Sequence, residues 1–216
     1  LNEIAQSEGY DYISVAHHKD DQAESILAHI IRGSGLNGLT GMSVVQSEYA
    51  IPVVRPLLDV TKENLLAYIG TKHISYCVDS TNEDVRYQRN RIRHRIIPEL
   101  EAVNPAVVDA IVRLGSSVNE DVMVISDLTS RTFDKLVSIG DDEVRISRRA
   151  LRQEPLAIQR RLWQRLVSTI DSDLTLTSAH QEQLLDIVNT GEKKTFTIKS
   201  IKVIAQCDTI KVYCKH

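Results

Sequence analysis

The sequence predicts an α/β fold: a parallel-sheet domain over residues 1–100, then a mainly helical domain over residues 101–216 ending in a small antiparallel β tail. Three observations lead there. Short apolar runs alternate with helical periodicity through the first hundred residues, an order that builds a parallel sheet. After Pro98 the apolar spacing becomes mostly helical. From Phe196 onward apolar and polar residues alternate, as in a hairpin or meander.

Taken in order, residues 1–9 carry a helical pattern closed by Gly9. Tyr12 to Ala16 form a mostly apolar run suited to a strand buried on both faces. Residues 21–32 then place Ala23, Ile26, Leu27, Ile30 and Ile31 at helical spacing, with Asp21 as cap and Glu24 closing a capping box. The glycines between Gly33 and Gly41 break regular structure. Ala50 to Val54 read as a second strand stopped by Pro56, and Thr61 caps a helix through Tyr68. Pro105 to Val137 is mostly helical, its first stripe made of Val107, Val108, Ile111, Val112 and Leu114. Pro155 opens a helix in its first turn, with Ile158, Leu162, Leu166 and Ile170 on one face and Trp163 in the core. Thr177 or Ser178 caps a third helix, ended by Gly191. Phe196, Ile198, Ile201, Val203, Ile204, Ile210, Val212 and Tyr213 mark the strands of the tail.

Hydrophobic residues make up 42% and charged residues 25% of the 216, the balance of a soluble globular protein. No run approaches the ~20 apolar residues of a membrane span, so no membrane partner is expected. Cys77, Cys207 and Cys214 form no CxxC pair, which favours a reducing cytoplasm over a disulfide-built secreted fold. Cys77 lies in a strand-like stretch and reads as structural. The chain starts with Leu1, without Met or a signal peptide, and a piece of a longer protein is expected.

Net charge is −3, which points to no polyanionic partner globally. The arginines are concentrated, however. Arg86, Arg89, Arg91, Arg93 and Arg95 fall in one ten-residue run without an acid. On a helix, Arg86, Arg89 and Arg93 share a face, with Tyr87 and His94 available for base stacking, so polyanion contact is the expectation. A second cluster, Arg145, Arg148, Arg149, Arg152, Arg160, Arg161 and Arg165, contains the single acid Glu154 and stays open between a polyanion site and a solvated face.

The densest chemistry is His17-His18-Lys19-Asp20-Asp21-Gln22-Ala23-Glu24-Ser25, where a strand feeds a helix. Open α/β sheets hold ligands at such junctions. His17 at the strand end could steady a phosphate or act as acid or base. The neighbouring carboxylates could hold Mg²⁺, orient an amine nucleophile, or simply cap the helix. The glycine-rich loop is neither a GxGxxG nor a GxxxxGK motif.

Residues 15–25 followed by Arg32-Gly33-Ser34-Gly35-Leu36-Asn37-Gly38-Leu39 resemble the tRNA(Ile)-lysidine synthetases. Arg55-Pro56-Leu57-Leu58 agrees, and so do Asp79-Ser80-Thr81-Asn82, Arg89-Asn90-Arg91-Ile92-Arg93 and Ile97-Pro98-Glu99-Leu100, all in the family's order. The resemblance implies the second half of an N-type ATP pyrophosphatase domain, of the adenine nucleotide alpha hydrolase-like class. It also implies a ligase that adenylates C2 of the wobble cytidine of an isoleucine tRNA with ATP, then joins the ε-amine of free L-lysine there.

Carried over residue by residue, the catalytic set is His17, Asp21, Glu24 and Arg89. His17 would meet the ATP phosphates or adenylated intermediate, Asp21 and Glu24 the lysine amine, and Arg89 the anticodon-loop phosphate or activated base. His18, Arg32, Arg55, Arg86, Asn90 and Arg93 would bind substrate or tRNA, and Asp20 would be the Mg²⁺ ligand. Partners are the tRNA anticodon loop, ATP and lysine, with self-association into a homodimer left open. The family's SGGxDS phosphate loop occurs nowhere in the chain. In family order it lies upstream of residue 1, so this segment alone is expected to lack ATP-dependent activity. A sister thiolase of tRNA cytidine and a non-catalytic RNA-binding module are the rival readings, the first weakened by the unpaired cysteines.

Overall fold

A computed structural model describes residues 1–47, 49–77, 84–140, 143–190 and 193–214. Asp79 to Asn82 and Gly191 lie outside them. The chain divides into two compact units, Leu1–Val122 and Met123–His216.

In the first unit the elements are α1 (Asn2–Ser7), β1 (Ile13–Ser14), α2 (Lys19–Ile31), α3 (Leu36–Leu39), β2 (Val45–Gln46), β3 (Val53–Val54), α4 (Lys62–Thr71), α5 (Gln88–Arg91) and α6 (Ile97–Val103). A π-helical segment, Ile92–Ile96, joins the last two. The long α7 (Val107–Leu136) starts in this unit. The sheet has the order β1-β3-β2. The parallel pair expected from the sequence is present, with Ile13 opposite Val53 and Ser14 opposite Val54. β2 adds an antiparallel edge, Val45 opposite Val54. Two residues are too few to show alternation, so β2 leaves no mark in the sequence.

Both expected strands are shorter than their apolar runs. β1 pairs on one side, with β3, and Tyr12, Ser14 and Ala16 are exposed. An edge strand of two residues is not buried on both faces, which corrects that expectation. Thr61 caps α4 as expected, its hydroxyl accepting the Asn64 N–H at 3.2 Å, and the helix continues to Thr71. Cys77 is exposed and outside any strand, so it has no packing role.

Helix α2 begins two residues before Asp21. Its N-cap is His18, in an extended conformation, and Asp21 at the third helical position accepts the His18 backbone N–H at 2.9 Å. Glu24 is thus interior to the helix and released from capping. Beyond α2 the glycine segment contains the short helix α3 rather than irregular chain alone. Gln22 then pins the turn at Met42. Its Nε2 donates to the Met42 carbonyl at 3.0 Å and its Oε1 accepts the Met42 N–H at 2.7 Å. Gly41 has φ +72°, and a Cβ there would stand 2.7 Å from the Gln22 amide, so this turn needs glycine on two counts.

The second unit contains β4 (Val137–Ile139), β5 (Val144–Ser147), α8 (Arg148–Leu151), α9 (Leu156–Ile170), α10 (Ser178–Asn189), β6 (Lys194–Ile198), β7 (Ile201–Gln206) and β8 (Thr209–Cys214). The expected meander is there, but it is part of a five-stranded antiparallel sheet of order β4-β5-β8-β7-β6. β5 is hard to see in the sequence because Val144-Arg145-Ile146-Ser147 alternates over only four residues, and its arginine runs on into a basic cluster. Leu162, Trp163, Leu166, Leu184 and Val188 of α9 and α10 pack with Ile146, Ile201, Val203, Ala205, Ile210 and Val212 of the sheet. Pro155 is the residue before the helix, one position earlier than expected.

The second arginine cluster is partly internal machinery. Arg148 is 3% exposed, and its Nη2 donates to the Ile187 carbonyl at 2.6 Å, with Nη1 on Cys207 O and Nε on Val188 O. A guanidinium on the last-turn carbonyls of α10 satisfies acceptors that the helix leaves orphaned and complements its dipole. Arg145 pairs with Glu143, Arg160 approaches Glu182, and Arg165 covers the Phe133 ring at 4.8 Å. Opposite charge therefore comes from outside the run. Arg148→Met should cost about 1.5–3 kcal/mol in denaturant unfolding. Arg149→Met, on the same short helix but exposed, should stay within about 0.5 kcal/mol of the parent.

Candidate functional site

Backbone bonds fix the path from β1 into α2. The Val15 N–H donates to Val54 O and the Lys19 N–H to Val60 O. His17 and His18 are thus held at the end of the parallel pair, immediately before the first turn of α2.

Asp21 and Glu24 are buried, 6% and 1% exposed. A buried carboxylate needs a cation and full hydrogen bonding. Both are supplied from the arginine run 65–72 residues away. Arg93 donates from Nε to Glu24 Oε1 at 2.5 Å and from Nη2 to Asp21 Oδ1 at 2.8 Å and Glu24 Oε2 at 2.9 Å. Arg89 donates from Nε to Glu24 Oε2 at 2.8 Å and from Nη2 to Asp21 Oδ1 at 2.9 Å. The fourth oxygen, Asp21 Oδ2, takes the His18 N–H. Two negative and two positive charges so form a neutral, closed cluster. Burial works against the Arg93 charge, yet Glu24 and Asp21 raise its pKa.

The π-helical segment sets the isoleucines beside these arginines. On an α-helix, residues five apart diverge by about 140°. An i→i+5 turn instead brings Ile92 and Ile97 to one buried face, 0% and 7% exposed. Arg89 and Arg93, four apart, both reach α2.

His17 is held by Arg55, whose Nε–H donates to His17 Nδ1 at 3.3 Å. Arg55 is 8% exposed and bonded through all three nitrogens: Nη1 donates to Ser43 O at 2.9 Å and Nη2 to Gln46 Oε1 at 2.8 Å. An Nδ1 that accepts carries no proton, so the neutral ring has its hydrogen on Nε2. Burial lowers the His17 pKa from 6.5, Arg55, Arg89 and His18 lower it further, and Asp21 opposes them.

Asp20 joins two helix starts. Its Oδ2 accepts the Lys62 N–H at 2.8 Å, at the first position of α4, and lies 3.3 Å from His18 Nδ1. The His18 contact first, and the Lys62 N–H after it, hold the carboxyl down at about 2. Lys19 ties the same turn to α7 through Asp109 at 2.5 Å. No group of three or more histidine, cysteine or acidic side chains set to hold a metal occurs among the described residues.

The structure thus brings together His17, His18, Asp20, Asp21, Glu24, Arg55, Arg89 and Arg93. Arg86, whose side chain is 87% exposed, pairs instead with Asp84, and the Asn90 amide donates to Asp84 O. Arg32 is the exposed C-terminal cap of α2, roughly 20 Å along the helix from its start. Gln46, Ser43 and the Lys62 N–H are participants that the sequence does not announce. Their contributions are a lone amide and two backbone groups, which carry no motif.

A parallel pair feeding a polar cluster at a helix start defines an α/β domain with its site at the carboxyl ends of its strands. Residues 1–100 match the PP-loop domain model, and the fold of this part is of the adenine nucleotide alpha hydrolase-like class. The chain is similar to the tRNA(Ile)-lysidine synthases. It is 44% identical to that of Porphyromonas gingivalis over 135 residues, 62% of this chain and 29% of the relative. It is 31% identical to that of Geobacter sulfurreducens over 187 residues, 86% and 39%. It is 29% identical to that of Caldanaerobacter subterraneus subsp. tengcongensis over 215 residues, 99% and 44%. The chain therefore spans less than half the length of each of these relatives. The solved U34-tRNA thiolase NcsA from Methanococcus maripaludis matches at 21% identity and a TM-score of 0.42, over 56% of this chain and 40% of that one.

For His17 the geometry sets both tautomer and titration. Nitrogen NMR should find it as the Nε2–H tautomer, titrating below 6.5, and Arg55→Met should move its titration upward. Because the folded pKa is depressed, protons bind the unfolded ring first. The His17 contribution is therefore intact above 6.5, and stability falls as pH drops from there through the folded value. His17→Gln should remove that slope from pH-dependent unfolding curves.

Proposed function

We propose that this chain is part of an ATP-dependent tRNA-modifying ligase that makes lysidine from the wobble cytidine of an isoleucine tRNA. The observation that carries the reading is the closed cluster of Asp21, Glu24, Arg89 and Arg93 beside His17. It unites, in space, the two charged blocks that resemble the lysidine family. The relatives' names agree with it.

The chemistry has two displacements. The cytidine C2 oxygen attacks the α-phosphorus of ATP and pyrophosphate leaves. The ε-amine of lysine, having lost a proton, then attacks C2, and AMP departs with the oxygen. The first step needs donors for phosphate oxygens, and neutral His17 offers its Nε2–H. The second needs carboxylates for an ammonium ion, and Asp21 and Glu24 are those. Arg89, its side chain 48% exposed against 22% for Arg93, is the partner that can exchange. A lysine ammonium takes its place on the acids, and Arg89 swings to a phosphate or the activated base. Arg93 stays and holds Asp21 and Glu24. Arg55 keeps His17 oriented.

His18, Asn90, Arg86 and Arg32 extend the site towards the anticodon loop. Asp20 would be the protein's carboxylate for Mg²⁺, an ion that in such sites takes one or two carboxylates plus substrate phosphates and neutralises their charge. Residues 101–216 serve as the substrate and tRNA domain. No helix among the described residues is long and apolar enough to cross a membrane. We place the reaction in the cytoplasm, with its tRNA.

Glu24→Gln separates chemistry from scaffold, since it removes one charge and keeps the side chain's shape. In the protein at its natural length, given ATP, lysine and the isoleucine tRNA, lysidine formation should fall by about 100-fold or more. Tight tRNA binding should persist. Absence of lysidine formation by the parent protein would overturn the reading, and formation at the parent rate in Glu24→Gln would remove Glu24 from the chemistry.

A further inference from the structure

The arginine run divides between two faces. Arg89 and Arg93 are spent on the buried acids. Arg91 and Arg95 are exposed and have no acidic partner within 4 Å among the described residues. They line a groove of about 530 Å³ with Ile31 from the end of α2, Ile96 and Leu100, above the fully buried Ile92. Glu99 is the one acid in its lining among the described residues. Ile31 is 54% exposed.

We infer that this groove seats one unstacked nucleobase of the RNA substrate on its isoleucine floor, with Arg91 and Arg95 on the phosphates either side. This rests on the reading of the protein as a tRNA-modifying enzyme. The charge argument selects the occupant. Two uncompensated guanidiniums beside an apolar surface suit a ligand with a flat, weakly polar ring and an anionic backbone, which is single-stranded RNA. An apolar protein segment would leave both arginines without a partner. Gln88 at the groove adds an amide able to bond a base edge. The same short stretch thus builds the reaction centre on one face and a base seat on the other. The alternation of Arg89 and Arg93 with Arg91 and Arg95 along α5 and the π-helical segment sets the two faces side by side.

The test uses the protein at its natural length and the isoleucine tRNA, with binding measured between about 50 and 200 mM salt. Arg91→Ala/Arg95→Ala should weaken tRNA binding roughly tenfold and flatten the log K against log salt slope by ~1.4, two contacts at ~0.7 each. It should raise KM for tRNA and leave kcat near the parent value. Ile96→Ala should weaken binding with no change in salt slope. Unchanged affinity and slope in the double variant overturns the groove. So does an Ile96→Glu variant that loses a homodimer in sedimentation while binding tRNA normally, because a second copy is then the occupant. Loss of binding in the arginine variant, with no lysidine formed by the parent protein, would keep the groove and remove the lysidine reading. The converse, loss of chemistry in Glu24→Gln with normal binding in the arginine variant, would remove the groove alone.

Discussion

Burying two carboxylates is the constraint on which the first unit depends. Asp21 and Glu24 lie in the first two turns of α2, 6% and 1% exposed, where an unpaired charge would cost several kcal/mol. Their answer is a pair of guanidiniums brought from the far end of the unit's chain. That closure dictates much of the surrounding architecture. The run Gln88–Val103 must lie against α2, and a π-helical segment lets its isoleucines and its arginines serve different faces. The strand-to-helix junction must also be rigid, and the backbone bonds of Val15 and Lys19 make it so.

Such a cluster is not an efficient stabiliser. A hydrophobic replacement of the same volume would often hold the helices together as well or better. Its merit is polarity with directed geometry. Four charges sum to zero, all four carboxylate oxygens are occupied, and the more exposed arginine can leave without uncovering both acids at once. Under the proposed reaction, which brings in an ammonium ion and then releases an anion, ion pairs that trade partners serve the site well. Burial holds the remaining pair in place through each exchange.

Some of this is legible in the sequence and the rest is hidden there. Helices α4, α7, α9 and α10 come from apolar stripes three and four apart and from Thr61 and Thr177 as caps, because those signals are local. The polar block from His17 to Glu24 stands out by composition. Pairing at a distance cannot be read in this way. The run from Arg86 to Arg95 contains no acid, and it suggests a free cationic face. In the fold, Asp84, Asp21 and Glu24 take three of its arginines. The cap of α2 is ambiguous for the same reason, since Asp21 can cap a helix from outside or from its third position. Tertiary demand on Glu24 decides between them.

Arg55 shows how far a residue's type can mislead about its task. A basic residue before a proline, in a chain whose resemblance implies a polyanionic substrate, invites assignment to that substrate. Its burial and its three occupied donors give it to the protein instead, one to His17, one to Ser43 and one to Gln46. The consequence for chemistry is indirect but specific. With Nδ1 occupied by a donor that never loses its proton, His17 has a single nitrogen left to present, and that nitrogen carries hydrogen. A ring so held is a hydrogen-bond donor to anionic oxygen. It is poorly placed to be a base, since a second proton would have to enter at Nδ1 and set two cations against each other. In the proposed reaction the burden of accepting a proton from the lysine ammonium therefore falls on Asp21 and Glu24, the carboxylates that the arginines hold.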